Sequence, residues 1–111
     1  LESEGAHRAP MLTNLGVVLA YRRDFDQAEE LFQQTLQIEQ RAGPDRLIVS
    51  TPLHNLADLA MNRGDLDRAE TLLLEAWRIQ HKFAPEQFAA FLANERSKWA
   101  RAVKESGATV D

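Results

Sequence analysis

At 111 residues, with 44% of them hydrophobic, 27% charged and no cysteine, the chain has the size and composition of one globular unit. The missing cysteines exclude a disulfide framework and any thiolate metal site, and they point to the cytoplasm. A net charge of −4, from 17 Asp and Glu against 13 Lys and Arg, argues against nucleic acid or an anionic membrane as partner, and no apolar run approaches the ~18 residues of a spanning helix.

From about Arg8, the residues Leu12, Leu15, Val18, Leu19 and Arg22 recur at helical spacing and predict a first helix. It breaks at Arg22-Arg23-Asp24. Asp24 is a good N-cap for a second helix, with Gln27 in a capping-box-like position and Asp26 and Glu29 near the positive end of the helix dipole. This second helix turns Phe25, Ala28, Leu31, Phe32, Thr35, Leu36 and Ile38 toward a core and stops near Gly43-Pro44. A third helix begins either at Thr51-Pro52, as a cap followed by proline, or earlier with Leu47 to Val49. Its buried stripe is Leu53, Leu56, Leu59 and Ala60, and Gly64 ends it. Asp65 caps a fourth helix whose stripe is Leu66, Ala69, Leu72, Leu73, Ala76, Trp77, Ile79 and Phe83. After Pro85, an apolar face of Phe88, Phe91, Leu92, Trp99, Ala102 and Val103 predicts an amphipathic fifth helix over about 86–105. A loose tail from Ser106 to Asp111 is expected to follow.

Laid over itself at a shift of 41 residues, the chain matches without a gap. Leu12, Asn14 and Leu15 fall on Leu53, Asn55 and Leu56; Arg22, Asp24 and Asp26 fall on Arg63, Asp65 and Asp67. Ala28, Glu29 and Leu31 fall on Ala69, Glu70 and Leu72, and Ile38 and Pro44 on Ile79 and Pro85. Self-similarity at fixed spacing is the signature of a stacked-hairpin repeat. Small residues at Gly16, Ala28, Ala57 and Ala69 allow close helix approach, while Phe32 and Leu73 are the large residues that fill the space between copies. The repeats run over about 8–43 and 47–84. The fifth helix is expected to cover the open apolar end of the second pair, and a degenerate first helix of a third repeat is the alternative.

The pattern Leu15-Gly16, Leu19, Phe25, Ala28, Phe32, and again Leu56-Ala57, Ala60, Leu66, Ala69, Leu73, Ala76, resembles the tetratricopeptide consensus. The long repeat, with Asn14-Leu15, Asn55-Leu56 and the connector Gly43-Pro44-Asp45, is similar to the kinesin-light-chain type. Arg23 departs from the pattern by standing where glycine is expected, Thr35 by replacing a small alanine, and Trp77 by replacing a leucine. The resemblance implies an all-α, right-handed solenoid of two helix hairpins plus a C-terminal capping helix. It also implies a protein-binding scaffold or adaptor whose concave groove is lined by the first helix of each repeat.

By that resemblance Asn14 and Asn55 are the groove asparagines that bond the backbone of a bound peptide, since an amide supplies both a donor and an acceptor. Each also has a purely structural use, as a tie between neighbouring helices. Around them Thr13, Val17, Ala20 and Tyr21 line the first inner face, and His54, Asp58, Met61 and Asn62 the second. The lysines that hold a C-terminal carboxylate in some tetratricopeptide domains are replaced here by Thr13 and His54, so that clamp is not expected. Catalysis has little support. His7, His54 and His81 are scattered without metal-ligand spacing, and the acidic residues fall at caps and outer faces. No cofactor or metal is expected. The partner is a peptide or protein segment, and self-association through open repeat ends is the competing use.

Overall fold

The computed structural model describes residues 2–106, with side chains described at 8–97 and at Ala100, Arg101 and Lys104. Trp99, Ala102 and Val103, expected on the apolar face of the last helix, and the tail beyond Ser106 lie outside the described residues. Five helices follow in order: α1 (Glu2–Tyr21), α2 (Phe25–Ala42), α3 (Ser50–Asn62), α4 (Leu66–Gln80) and α5 (Pro85–Ser106). No strand occurs among the described residues.

The two repeats fold as two antiparallel hairpins, α1 with α2 and α3 with α4, and α2 stacks on α3 to join them. Both hairpin turns are built alike. Asp24 N–H donates to Leu19 O at 2.9 Å, as Asp65 N–H does to Ala60 O at 2.8 Å. Inside those loops Arg23 N–H reaches Ala20 O at 3.0 Å and Gly64 N–H reaches Met61 O at 3.1 Å. This pairing is a Schellman closure, which needs one residue in the left-handed region. Arg23 supplies it with φ 66° and Gly64 with φ 80°. The arginine that departs from the repeat pattern therefore adopts the glycine conformation, with its guanidinium 5.0 Å from the Phe25 ring centroid.

The core runs between the hairpins. Ala28, Phe32, Val49, Leu53, Leu56, Leu59, Ala76 and Ile79 are buried together. Gly16 makes the first hairpin possible: a β-carbon there would lie 2.5 Å from Cε1 of Phe32. Thr35, another departure from the pattern, is buried with its hydroxyl donating to Phe32 O at 2.8 Å, so its polar atom is satisfied. The start of α3 combines both predicted beginnings. Leu47–Val49 form a 3-10 turn that runs directly into Ser50. Pro52 then sits in the first turn of α3, where its missing N–H has no intrahelical partner to lose.

α5 departs from expectation. It packs on α1, and the outer face of α4 stays uncovered. Leu66, Leu74 and Trp77 are 67%, 59% and 57% exposed on that face, so Leu66 and Trp77 belong to a surface and not to the buried stripe. The physical reason is topological. A short connector after Gln80 turns α5 back across the molecule instead of stacking it as a further layer. The dimensions agree: extents of 35 × 33 × 29 Å are nearly equal, and a radius of gyration of 13.6 Å is that of a folded-back chain rather than an extended stack.

Candidate protein-binding groove

α1 and α3, the first helices of the two hairpins, lie side by side and form one face of the molecule. α5 packs against α1 on this face and meets α3 across a pocket. Its Glu95, only 9% exposed, enters a small cavity with Ala9, Thr13 and Asn14 of α1 and Thr51 and Pro52 of α3. Glu39 of α2 lines the same cavity and is paired with Arg46 at 3.2 Å. One turn earlier, Phe91 and Leu92 of α5 face Ser50, His54 and Asp58 of α3 across a half-open pocket of ≈ 270 Å³ whose lining also includes Arg96. Gln80, the last residue of α4, completes the rim and brings its side-chain nitrogen to 2.8 Å from Nε2 of His54.

The residues expected to form one groove are divided by this arrangement. Asn14 is half-buried beneath Glu95. His54 and Asp58 line the larger void. Val17, 7% exposed, belongs to the core cluster that holds Phe32 and Leu36, because α1 packs this side against α2. Asn55 is 4% exposed, and its side-chain Nδ2 has no hydrogen-bond partner among the described residues. Tyr21, Met61 and Asn62 stand exposed at the far ends of the two helices. Asn62 donates its amide to the backbone oxygen of Asp58 at 2.9 Å. Met61 turns to the outer side, where it borders an apolar hollow of ≈ 540 Å³ with Leu66, Leu73, Leu74 and Trp77.

Burial raises the Asp58 carboxyl above its ordinary value, with the positive potential of His54 opposing the shift. Asp58 is nonetheless an exposed residue, so solvent screens much of the effect. Among the described residues no three His, Asp or Glu side chains cluster as metal ligands. No described helix is long and apolar enough to cross a membrane.

Sequence reasoning missed α5 as part of this site. The signal was present, since Glu95 stands four residues after Phe91 and three after Leu92, a carboxylate set on the apolar stripe. A helix covering only an apolar end has no use for an acid there.

No curated protein and no solved structure matches the chain in comparison. A family model described as tetratricopeptide repeat matches residues 7–81, which spans both hairpins and their two Schellman turns. Paired helices, small residues at the crossings and a repeated turn are the features that this match covers, and the chain belongs to the tetratricopeptide repeat family, whose repeats mediate protein–protein interaction.

Proposed function

We propose that the chain is a non-catalytic interaction module that binds a peptide or protein segment on the face made by α1 and α3, with Asn14, His54, Asn55 and Asp58 as its polar contacts. The observation that carries this reading is the Asn55 amide. A buried donor without a partner costs about 1–3 kcal/mol, and Asn55 carries this burden on the first helix of its repeat. A ligand carbonyl is the partner that the amide lacks. Asn14, at the equivalent place in the first repeat, lines a cavity with Thr51 and Pro52, one turn before Asn55 on α3.

The test uses peptides selected from a random displayed library on the full chain. The best of them is titrated calorimetrically against the wild type and against Asn14→Ala with Asn55→Ala. We expect at least tenfold weaker binding with unchanged helical circular dichroism; equal affinity rejects the reading.

A second reading rests on a different observation. Met61, Leu66, Leu74 and Trp77 are 45–67% exposed around one apolar hollow. A patch of this kind on a repeat end suits self-association, in which the outer face of α4 packs against another copy.

A further inference from the structure

The face that binds the partner is already covered by a helix of the chain itself, and the manner of covering describes what displaces it. α5 is amphipathic in the required sense. Phe88, Phe91 and Leu92 are half-buried and Glu95 buried, while Ala89, Ala90, Ala93, Asn94, Ser97 and Arg101 face outward. A glutamate that is nine-tenths buried needs polar surroundings, which a helix that merely shields apolar surface does not call for. It marks a seat with defined polar demands. The fit is also incomplete. The pocket of ≈ 270 Å³ between Phe91, Leu92 and α3 is half-open to solvent, and a bulkier helix face would fill it.

On the reading that this face is the binding groove, we infer that its partner is an amphipathic helix and not an extended peptide, and that α5 is a built-in occupant which the partner must displace. The partner presents an adjacent pair of large apolar side chains and, one turn further, a carboxylate followed by a guanidinium or ammonium, as α5 does with Phe91-Leu92 and Glu95-Arg96. Displacement frees the side of the pocket lined by His54 and Asp58 for the incoming helix. Asp58 and Arg96 line the same pocket, which sets a cation of the occupant on the same side as an acid. The weakened seat permits exchange, because a ligand gains affinity by the fraction of molecules in which α5 has already lifted.

The experiment keeps the chain whole and loosens α5 in two ways. Phe91→Glu with Leu92→Glu removes the apolar anchor, and Arg96→Glu, at an exposed position that spares the core, sets like charge against Asp58. The probes are a labelled synthetic peptide of residues 85–106 and the library-selected peptide described above. The α5 peptide is expected to bind the double variant at least tenfold, and Arg96→Glu at least threefold, more tightly than the wild type. Adding Asp58→Arg to Arg96→Glu is expected to return the affinity toward the wild-type level. The selected peptide is expected to gain on the loosened chains in parallel and to be helical when bound. If it binds wild-type and loosened chains equally, or if the α5 peptide binds none of them, the occupant proposal falls and the groove reading survives. If the selected peptide ignores Asn14 and Asn55 while the α5 peptide behaves as expected, the groove reading falls and the seat for α5 stands. A wild-type dimer that vanishes in the double variant overturns the intramolecular assignment, because the occupant would then be the α5 of a second copy.

Discussion

Gly16 shows how one missing β-carbon decides a helix crossing. In an open helix alanine is favoured over glycine by about 1 kcal/mol. At this position the added carbon meets the buried Phe32 ring at 2.5 and 2.9 Å, and the ring has no room to retreat. Overpacking of this kind costs about 1–3 kcal/mol. The net loss of up to about 2 kcal/mol means that Gly16→Ala is expected to lower the melting temperature by up to about 10 °C, measured by thermal circular dichroism. Asp58 illustrates the opposite case, a residue that sacrifices stability. Its folded-state carboxyl titrates above the 3.8 of the unfolded chain, so the folded state holds the proton more tightly and is stabilised as pH falls through the raised value. At neutral pH the ionised carboxylate costs stability. Asp58→Asn is expected to stabilise the chain at pH 7 by no more than about 1 kcal/mol after solvent screening. In urea titrations that gain should fade as the pH approaches 3.8.

Between elements, the repeated turns and caps offer an internal control, because the same design is written twice with different residues. The Asp65 side chain accepts a hydrogen bond from Arg68 N–H at 3.2 Å, whereas Asp24, its counterpart, makes no side-chain cap bond. Asp65→Ala is expected to cost about 1 kcal/mol and Asp24→Ala a few tenths, a difference that paired denaturation curves resolve. At the turn itself, Arg23 bears a left-handed backbone that costs about 1–2 kcal/mol for a residue with a β-carbon. Its stacking over Phe25 returns about 0.5–1 kcal/mol. Arg23→Gly is therefore expected to stabilise the chain by up to about 1 kcal/mol, seen as a higher denaturation midpoint. The ion pairs that join Asp26 to Arg63 and Glu29 to Arg68 link the hairpins at partly or fully exposed positions. Exposed pairs contribute about 0–1 kcal/mol each, so register between the hairpins rests on the apolar core instead.

For the molecule as a whole, two apolar faces compete for partners. One, over α1 and α3, is taken by α5; the other, on α4, is open. If the open face drives self-association, sedimentation velocity of the wild type will show a concentration-dependent dimer that Leu74→Glu with Trp77→Glu abolishes. Circular dichroism should stay unchanged, since both residues are more than half exposed. A wild type that remains monomeric at all concentrations removes that reading and leaves the groove as the interaction surface.

The hairpins were legible in the letters because their determinants are local or periodic. Helical spacing from Leu12 to Arg22, the glycine at Gly64, the cap at Asp65 and the small residues Gly16, Ala28 and Ala69 each act within a few residues or recur at a fixed interval. The matched pair Asn14 and Asn55 was legible on the same ground. Their environments were not: only packing reveals that Asn55 is enclosed and Val17 belongs to the core. The path of α5 was likewise invisible. An apolar stripe states that a helix has a face to bury, but two apolar surfaces were available to receive it, the outer face of α4 and the face of α1 and α3. Which one wins depends on the direction of a four-residue connector and on where a buried Glu95 finds polar neighbours, quantities that exist only in three dimensions.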